Sequence, residues 1–98
     1  MCLNKATSMS LKNEKQLERH FKGVANHHRI AILRLIEKNE GITLDGITQK
    51  LNANFKTMSE HTRKLVYAGL VNKKYKGRAV IHTLSPYGKR FLAFIKSF

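Results

Sequence analysis

The 98-residue chain is poor in several residue types and patterns, and each shortage closes off a class of function. It has one cysteine, Cys2, so neither an intrachain disulfide nor a multi-cysteine metal cluster can form, and a reducing intracellular setting is expected. No apolar run approaches the roughly 20 residues needed to cross a bilayer, and the first residues lack the apolar stretch of a signal peptide. A cytoplasmic protein without a membrane partner is therefore expected. Acidic side chains are scarce: 6 Asp and Glu stand against 19 Lys and Arg, a formal charge of +13. An excess of that size attracts phosphate-bearing polyanions. It is also lopsided, because residues 1–55 carry nine cations and five carboxylates, net +4, whereas residues 56–98 carry ten cations and only Glu60, net +9. The binding surface is expected in the second half.

Catalytic patterns are missing too. No Gly-x-Ser-x-Gly elbow, glycine-rich phosphate loop or close carboxylate pair occurs. Ser59 and His61 invite a reading as nucleophile and base, but two positions apart on a helix they lie about 200° around the axis and cannot face each other. An enzyme is not expected. Five histidines raise the question of a metal, yet His27 and His28 are adjacent, and His20, His61 and His82 fall on separate elements. No His-x-x-x-His or Cys-x-x-Cys pair is present. His27 and His28 read as polar residues of a first helical turn, His82 as an outward strand position, and no metal or cofactor is expected.

An apolar fraction of 42% suits one folded domain, placed at residues 10–98 behind a flexible segment 1–9. Leu17, Phe21 and Val24 suggest a short first helix from about Ser10 that Gly23 closes. Asn26 caps a second, central helix to about Lys38, and Thr43 caps a third, with Leu44, Ile47 and Leu51 on one face. Asn54 caps a fourth, Phe55 to Ala68, whose inward stripe is Met58, Thr62 and Leu65. Gly69 can take the left-handed conformation that ends it, with Leu70 folding back on Leu65. The period then changes to two: "LVNKKYK" and "AVIHTLS" flank Gly77 as a hairpin with a basic tip, Lys73 to Arg78. Ser85 and Pro86 open a last helix to Phe98. The expected class is mainly α with a small β-hairpin.

That helix carries Phe91, Leu92, Phe94, Ile95 and Phe98 around more than one face, too much apolar surface for one small domain to bury. A second copy, meeting these residues together with Leu17 and Phe21 of the first helix, is the expected cover. The first helix folding over it within one chain is the alternative, and both can hold together.

On the fourth helix the stripe opposite the core is Lys56, Ser59, Glu60, Arg63 and Tyr67, at steps of three and four. Two helices joined by a short turn, the second exposing polar and basic side chains, form a helix-turn-helix, whose second helix enters the major groove of double-stranded DNA. Arg63 or Lys56 then suits guanine N7 and O6, Thr57 and Ser59 suit base edges or phosphate, and Glu60 suits cytosine N4. Glu60 suits an intrahelical pair with Lys64 or Lys56 equally well. Lys73, Lys74, Lys76 and Arg78 of the hairpin are expected to reach an adjacent groove or phosphates.

"TMSEHTRKLVYAGLV" followed by "KGRAVIHTLS" resembles the ArsR-like transcriptional regulators, as does "NHHRIAILRLIEKNEG". The resemblance spans roughly residues 17–85, with Ser59-x-His61, Ala68-Gly69-Leu70-Val71 and Gly77-Arg78 its most specific parts. The tail "LSPYGKRFLAFI" is equally similar to MarR-type and other winged-helix regulators. The resemblance implies a winged helix-turn-helix fold and a homodimer that represses by covering an operator. It implies Lys56, Thr57, Ser59, Glu60 and Arg63 as groove-facing residues, with Lys76 and Arg78 on the backbone or minor groove; His61 and Lys64 are expected in the DNA-facing set as well. Thr62 stands where the pattern has leucine, and Phe55 where a polar contact is usual; Phe55 either fills the space under Thr62 or touches a thymine methyl. The third helix lacks the paired cysteines, and the last helix the acidic and histidine ligands, of metal-sensing members, so the identity of any effector is open. An RNA- or ribosome-associated winged helix and a protein-interaction winged helix are the alternative functions.

Overall fold

The computed structural model describes residues 12–98, so Ser10 and Leu11 of the expected first helix, the segment 1–9 and Cys2 lie outside the described residues. The chain order is α1 (Glu14–Val24), α2 (His27–Lys38), β1 (Ile42–Thr43), α3 (Leu44–Lys50), α4 (Phe55–Tyr67), β2 (Val71–Lys76), β3 (Ala79–Leu84) and α5 (Pro86–Lys96). Five helices and one three-stranded sheet therefore make up the described residues.

Helix starts follow local chemistry. Asn26, Thr43, Asn54 and Ser85 each accept a hydrogen bond from a backbone amide of the first turn, satisfying donors that have no partner inside the helix. The first helix begins later than expected: Asn13 caps it, and the Gln16 side chain accepts in return from the Asn13 amide at 2.9 Å, a reciprocal capping box. Gly23 does not close it. The helix continues through Val24, and Gly23 is buried inside its last turn, where an added Cβ would collide with the Ala68 Cβ. The missing side chain is what lets α1 touch α4.

The end of α4 is a complete Schellman motif: Gly69 has φ 80°, its amide donates to Val66 O at 3.0 Å, and the Leu70 amide donates to Leu65 O at 3.0 Å. The chain enters β2 directly. Both sheet pairings are antiparallel in the order β1-β3-β2, with Val71 opposite Leu84 and Lys76 opposite Ala79, leaving Gly77 and Arg78 as the hairpin tip. Strand β1 is an addition to the expected elements: Ile42 pairs with His82 and Thr43 with Ile81.

The core lies between α2 and α4, roofed by the base of the sheet and by α5. Ile32, Leu33 and Ile36 meet Ile47, Met58, Leu65, Leu70 and Leu84 there. Leu92, expected at a subunit surface, is instead in this core at 1% exposure, because it is the residue of α5 that points at the domain rather than away from it. Helix α1 does fold over α5, with Phe21 edge-on to Phe91 at 5.2 Å, but Leu17, Phe21, Phe94 and Phe98 remain exposed. Among the described residues no helix is long and apolar enough to cross a membrane.

Candidate nucleic-acid interface

Three ties fix α4 relative to the rest of the domain. Its start is held by Asn54, whose Oδ1 accepts from the Thr57 amide at 3.0 Å and from the Thr57 hydroxyl at 3.4 Å. Its end is held by His20 of α1, whose Nδ1 donates to Ala68 O at 2.7 Å. Its inner face carries Met58, Thr62 and Leu65, all buried. The outward face carries the stripe Lys56, Glu60, Arg63 and Tyr67, with Ser59 half-buried beside the wing and Phe55, Thr57 and Lys64 also exposed. Of the five expected groove-facing residues, those at 56, 59, 60 and 63 thus share one side of one helix, and Thr57 lies beside them, its amide and hydroxyl bonded to the Asn54 cap.

Glu60 pairs with Arg63, at 2.5 Å, rather than with Lys64 or Lys56. The hydrogen bond from Arg63, reinforced by its positive charge, lowers the Glu60 pKa. The exposed pair adds little stability, and it turns the guanidinium toward Glu60 in the free protein.

His61 does not join this stripe. It turns toward α2, where Arg29 Nε donates to its Nδ1 at 3.1 Å and His28 stacks on it with ring centroids 5.2 Å apart. Arg29 also donates to Lys22 O at 3.1 Å, so one guanidinium ties α2 to both α1 and α4. Burial, then the charge of Arg29, lowers the His61 pKa, which keeps the ring neutral and its Nδ1 available as an acceptor.

In the wing, Lys73, Lys74, Lys76 and Arg78 are all exposed. Strand alternation sends Lys73 and Tyr75 to the side that faces α4, and Lys74 and Lys76 to the other. Between α4 and the wing is a cleft of about 270 Å³ lined by Ser59, Thr62, Arg63, Lys73, Val80 and His82 among others. His82, read as outward, is in fact buried at 3% exposure, and its Nδ1 donates to Ile42 O at 3.0 Å. His82 lies on the same face of β3 as the core residue Leu84, turned toward α3 and α4, and β1, paired at the edge of β3, supplies the carbonyl that its ring bonds. Burial lowers the His82 pKa, with the bond to Ile42 opposing and Lys73 adding to the shift.

Phe55 stands half exposed in the first turn of α4 and is not part of the core, so it does not fill space under Thr62. Three residues absent from the expected site lie on this surface. Tyr75 projects from the wing at 71% exposure; its alternation with Lys73 was the available signal. Arg19 and Lys22 of α1 line a second cleft with Arg63, Lys64 and Tyr67, and the signal there was Gly23. Among the described residues no group of three or more His, Cys, Asp or Glu is placed to hold a metal ion.

The architecture is similar to solved winged-helix structures. The homodimeric winged helix-turn-helix DNA-binding domain of Mb0332 from Mycobacterium bovis, described as a possible ArsR-family transcriptional regulator, matches with a TM-score of 0.77 at 22% identity, over 99% of this chain and 85% of that one. HlyU from Vibrio cholerae matches with a TM-score of 0.76 at 26% identity, over 86% of this chain and 91% of that one. NolR from Sinorhizobium fredii matches with a TM-score of 0.75 at 17% identity, over 99% and 94%. No family model and no curated protein matches the sequence. The fold is the winged helix-turn-helix, with α3 and α4 as its two helices and β2-β3 as the wing.

Proposed function

We propose that this protein is a cytoplasmic, homodimeric regulator of transcription that binds specific double-stranded DNA and represses by covering its operator. The observation that carries this reading is the single outward stripe of α4, Lys56, Ser59, Glu60 and Arg63, set beside a wing whose exposed side chains include four cations. A helix presenting that stripe fits the major groove, and the wing cations fit backbone phosphates beside it. The description of Mb0332 as a homodimeric DNA-binding domain supports the same reading.

Each residue then has a task set by its chemistry. Arg63, turned toward Glu60 in the free protein, presents a planar fork to guanine N7 and O6. Lys56 and Ser59 reach neighbouring base edges, Thr57 and Lys64 the flanking phosphates. Phe55, at the exposed start of α4, offers an apolar edge to a thymine methyl. Lys73, Lys74, Lys76 and Arg78 neutralise phosphates and set the salt dependence. Two copies joined through the exposed apolar residues of α1 and α5 place two α4 helices in successive major grooves, about 34 Å apart, on an inverted repeat.

The test is selection of bound duplexes from a random pool at fixed salt, followed by titration of variants. Arg63→Ala is expected to weaken the selected site by about 1–3 kcal/mol and relax one base position, whereas Lys74→Ala weakens every sequence alike and flattens the salt dependence. Equal losses for both variants on selected and random DNA would remove the groove assignment. Tighter binding to structured RNA at matched salt would replace DNA as the ligand.

A further inference from the structure

The absence of a side chain at Gly23 brings α1 against the last turn of α4, and the two helices bound a cleft of about 400 Å³. Its charged and polar lining is Arg19 and Lys22 from α1 and Arg63, Lys64 and Tyr67 from α4. Four cations converge on it, and no carboxylate lines it. Two of the four are engaged by acids at the margin, Lys22 by Glu18 at 3.1 Å and Arg63 by Glu60. Arg19 and Lys64 have no carboxylate within salt-bridge distance among the described residues. Tyr67 is 77% exposed at the lip, a large aromatic with a free path for its hydroxyl to solvent and no part in the core.

An unpaired arginine, an unpaired lysine and a phenolic donor around one open cleft are the groups that bind phosphate oxygens. The cleft also adjoins the outward stripe of α4, because Arg63 lines it and is exposed on that stripe. We infer that the α1–α4 cleft is a second seat for the sugar-phosphate backbone of the same duplex, in which Arg19 and Lys64 neutralise phosphate charge and the Tyr67 hydroxyl donates to a phosphate oxygen. This rests on the DNA-binding reading above. It extends that reading by making α1 a DNA-contacting helix, on the flank of α4 away from the wing.

The test is anisotropy titration of the full chain on a selected and a random duplex across a potassium chloride series, comparing the wild type with Arg19→Ala, Tyr67→Phe and Lys74→Ala. Arg19 and Tyr67 are exposed, and matched thermal melts establish that both variants fold. Arg19→Ala is expected to weaken both duplexes roughly five- to tenfold and to reduce the slope of log affinity against log salt by about 0.9, one phosphate contact. Tyr67→Phe, which removes only a neutral donor, is expected to weaken both duplexes a few-fold and to leave the slope unchanged. If Lys74→Ala reduces the slope while Arg19→Ala leaves it unaltered, the DNA reading stands and the second seat falls. A wild type without salt-dependent duplex binding removes both. ATP serves as a free phosphate probe: millimolar ATP binding that Arg19→Ala abolishes, with the duplex slope intact, would make the cleft a nucleotide pocket and overturn the inference.

Discussion

Thr62 occupies a core position of α4 at 3% exposure, and its hydroxyl has no hydrogen-bond partner among the described residues. A buried hydroxyl left without a partner costs roughly 1–3 kcal/mol. Thr62→Val, which keeps the branched shape and removes the polar atom, is expected to stabilise the domain by about 1 kcal/mol and raise the melting temperature by about 4–8 °C. An unchanged or lower melting temperature would mean that the hydroxyl is satisfied in solution. That Thr62 faces inward was legible in the sequence, since its spacing from Met58 and Leu65 is that of a helical stripe. The four caps at Asn26, Thr43, Asn54 and Ser85 were legible for a similar reason: a cap bonds to an amide two or three residues away, so its cause and its effect lie in one short stretch. The partner of Glu60 was not, because Lys56, Arg63 and Lys64 all lie within helical reach and only the side-chain geometry chooses among them.

At the level of elements, the helices and the hairpin were legible from their periods, and the element that was missed has no period to show. Strand β1 is two residues long and exists only because β3 lies beside it. It supplies the Ile42 carbonyl that satisfies the ring of His82, forty positions away, which shares the inward face of β3 with Leu84. This has a measurable consequence. Burial holds the His82 pKa below its ordinary value of 6.5 in the folded chain, so the unfolded chain takes up the proton more readily. Stability is therefore fully present above about pH 6.5 and declines as pH falls through the depressed folded value, since the neutral ring is the form that the sheet accommodates. His61, shifted in the same direction, adds to the decline. Urea denaturation at pH 7.5 and pH 5.5 is expected to show lower stability at the acid value. His82→Asn, retaining a donor for Ile42 O, is expected to lose part of that difference and keep the share due to His61. Parallel pH profiles for the two proteins would exclude His82 as a source. Gly23 was misread for a related reason: a glycine near a helix end signals termination locally, whereas here the constraint is the Ala68 side chain arriving from α4.

For the whole molecule, one domain leaves a band of apolar side chains uncovered along α1 and α5. Phe21 and Phe94 are about half exposed and Phe98 is 93% exposed, with Phe94 and Phe98 in edge-on contact at 5.0 Å. That excess was legible in the sequence as too many apolar positions around the last helix. Leu92 was counted among them because a helical wheel does not reveal which of several apolar faces turns inward. Phe94→Asp places a charge in the band without disturbing the core. Sedimentation is expected to show a dimeric wild type and a monomeric variant. The variant is expected to bind an inverted repeat at least tenfold more weakly, while its affinity for a single half-site is retained. A monomeric wild type would remove the proposed assembly.

The contact between Gly23 and Ala68 bears on that assembly in another way. Helix α1 carries part of the apolar band on one face and is tied to α4 on another, by the glycine contact, by His20 on Ala68 O and through Arg29 of α2, which bonds both Lys22 O and His61. The helix that would join two copies thus touches the helix that would read bases directly. The pair would act as a calliper with fixed jaws: adding or deleting one base pair between half-sites would rotate one of them out of register with its helix.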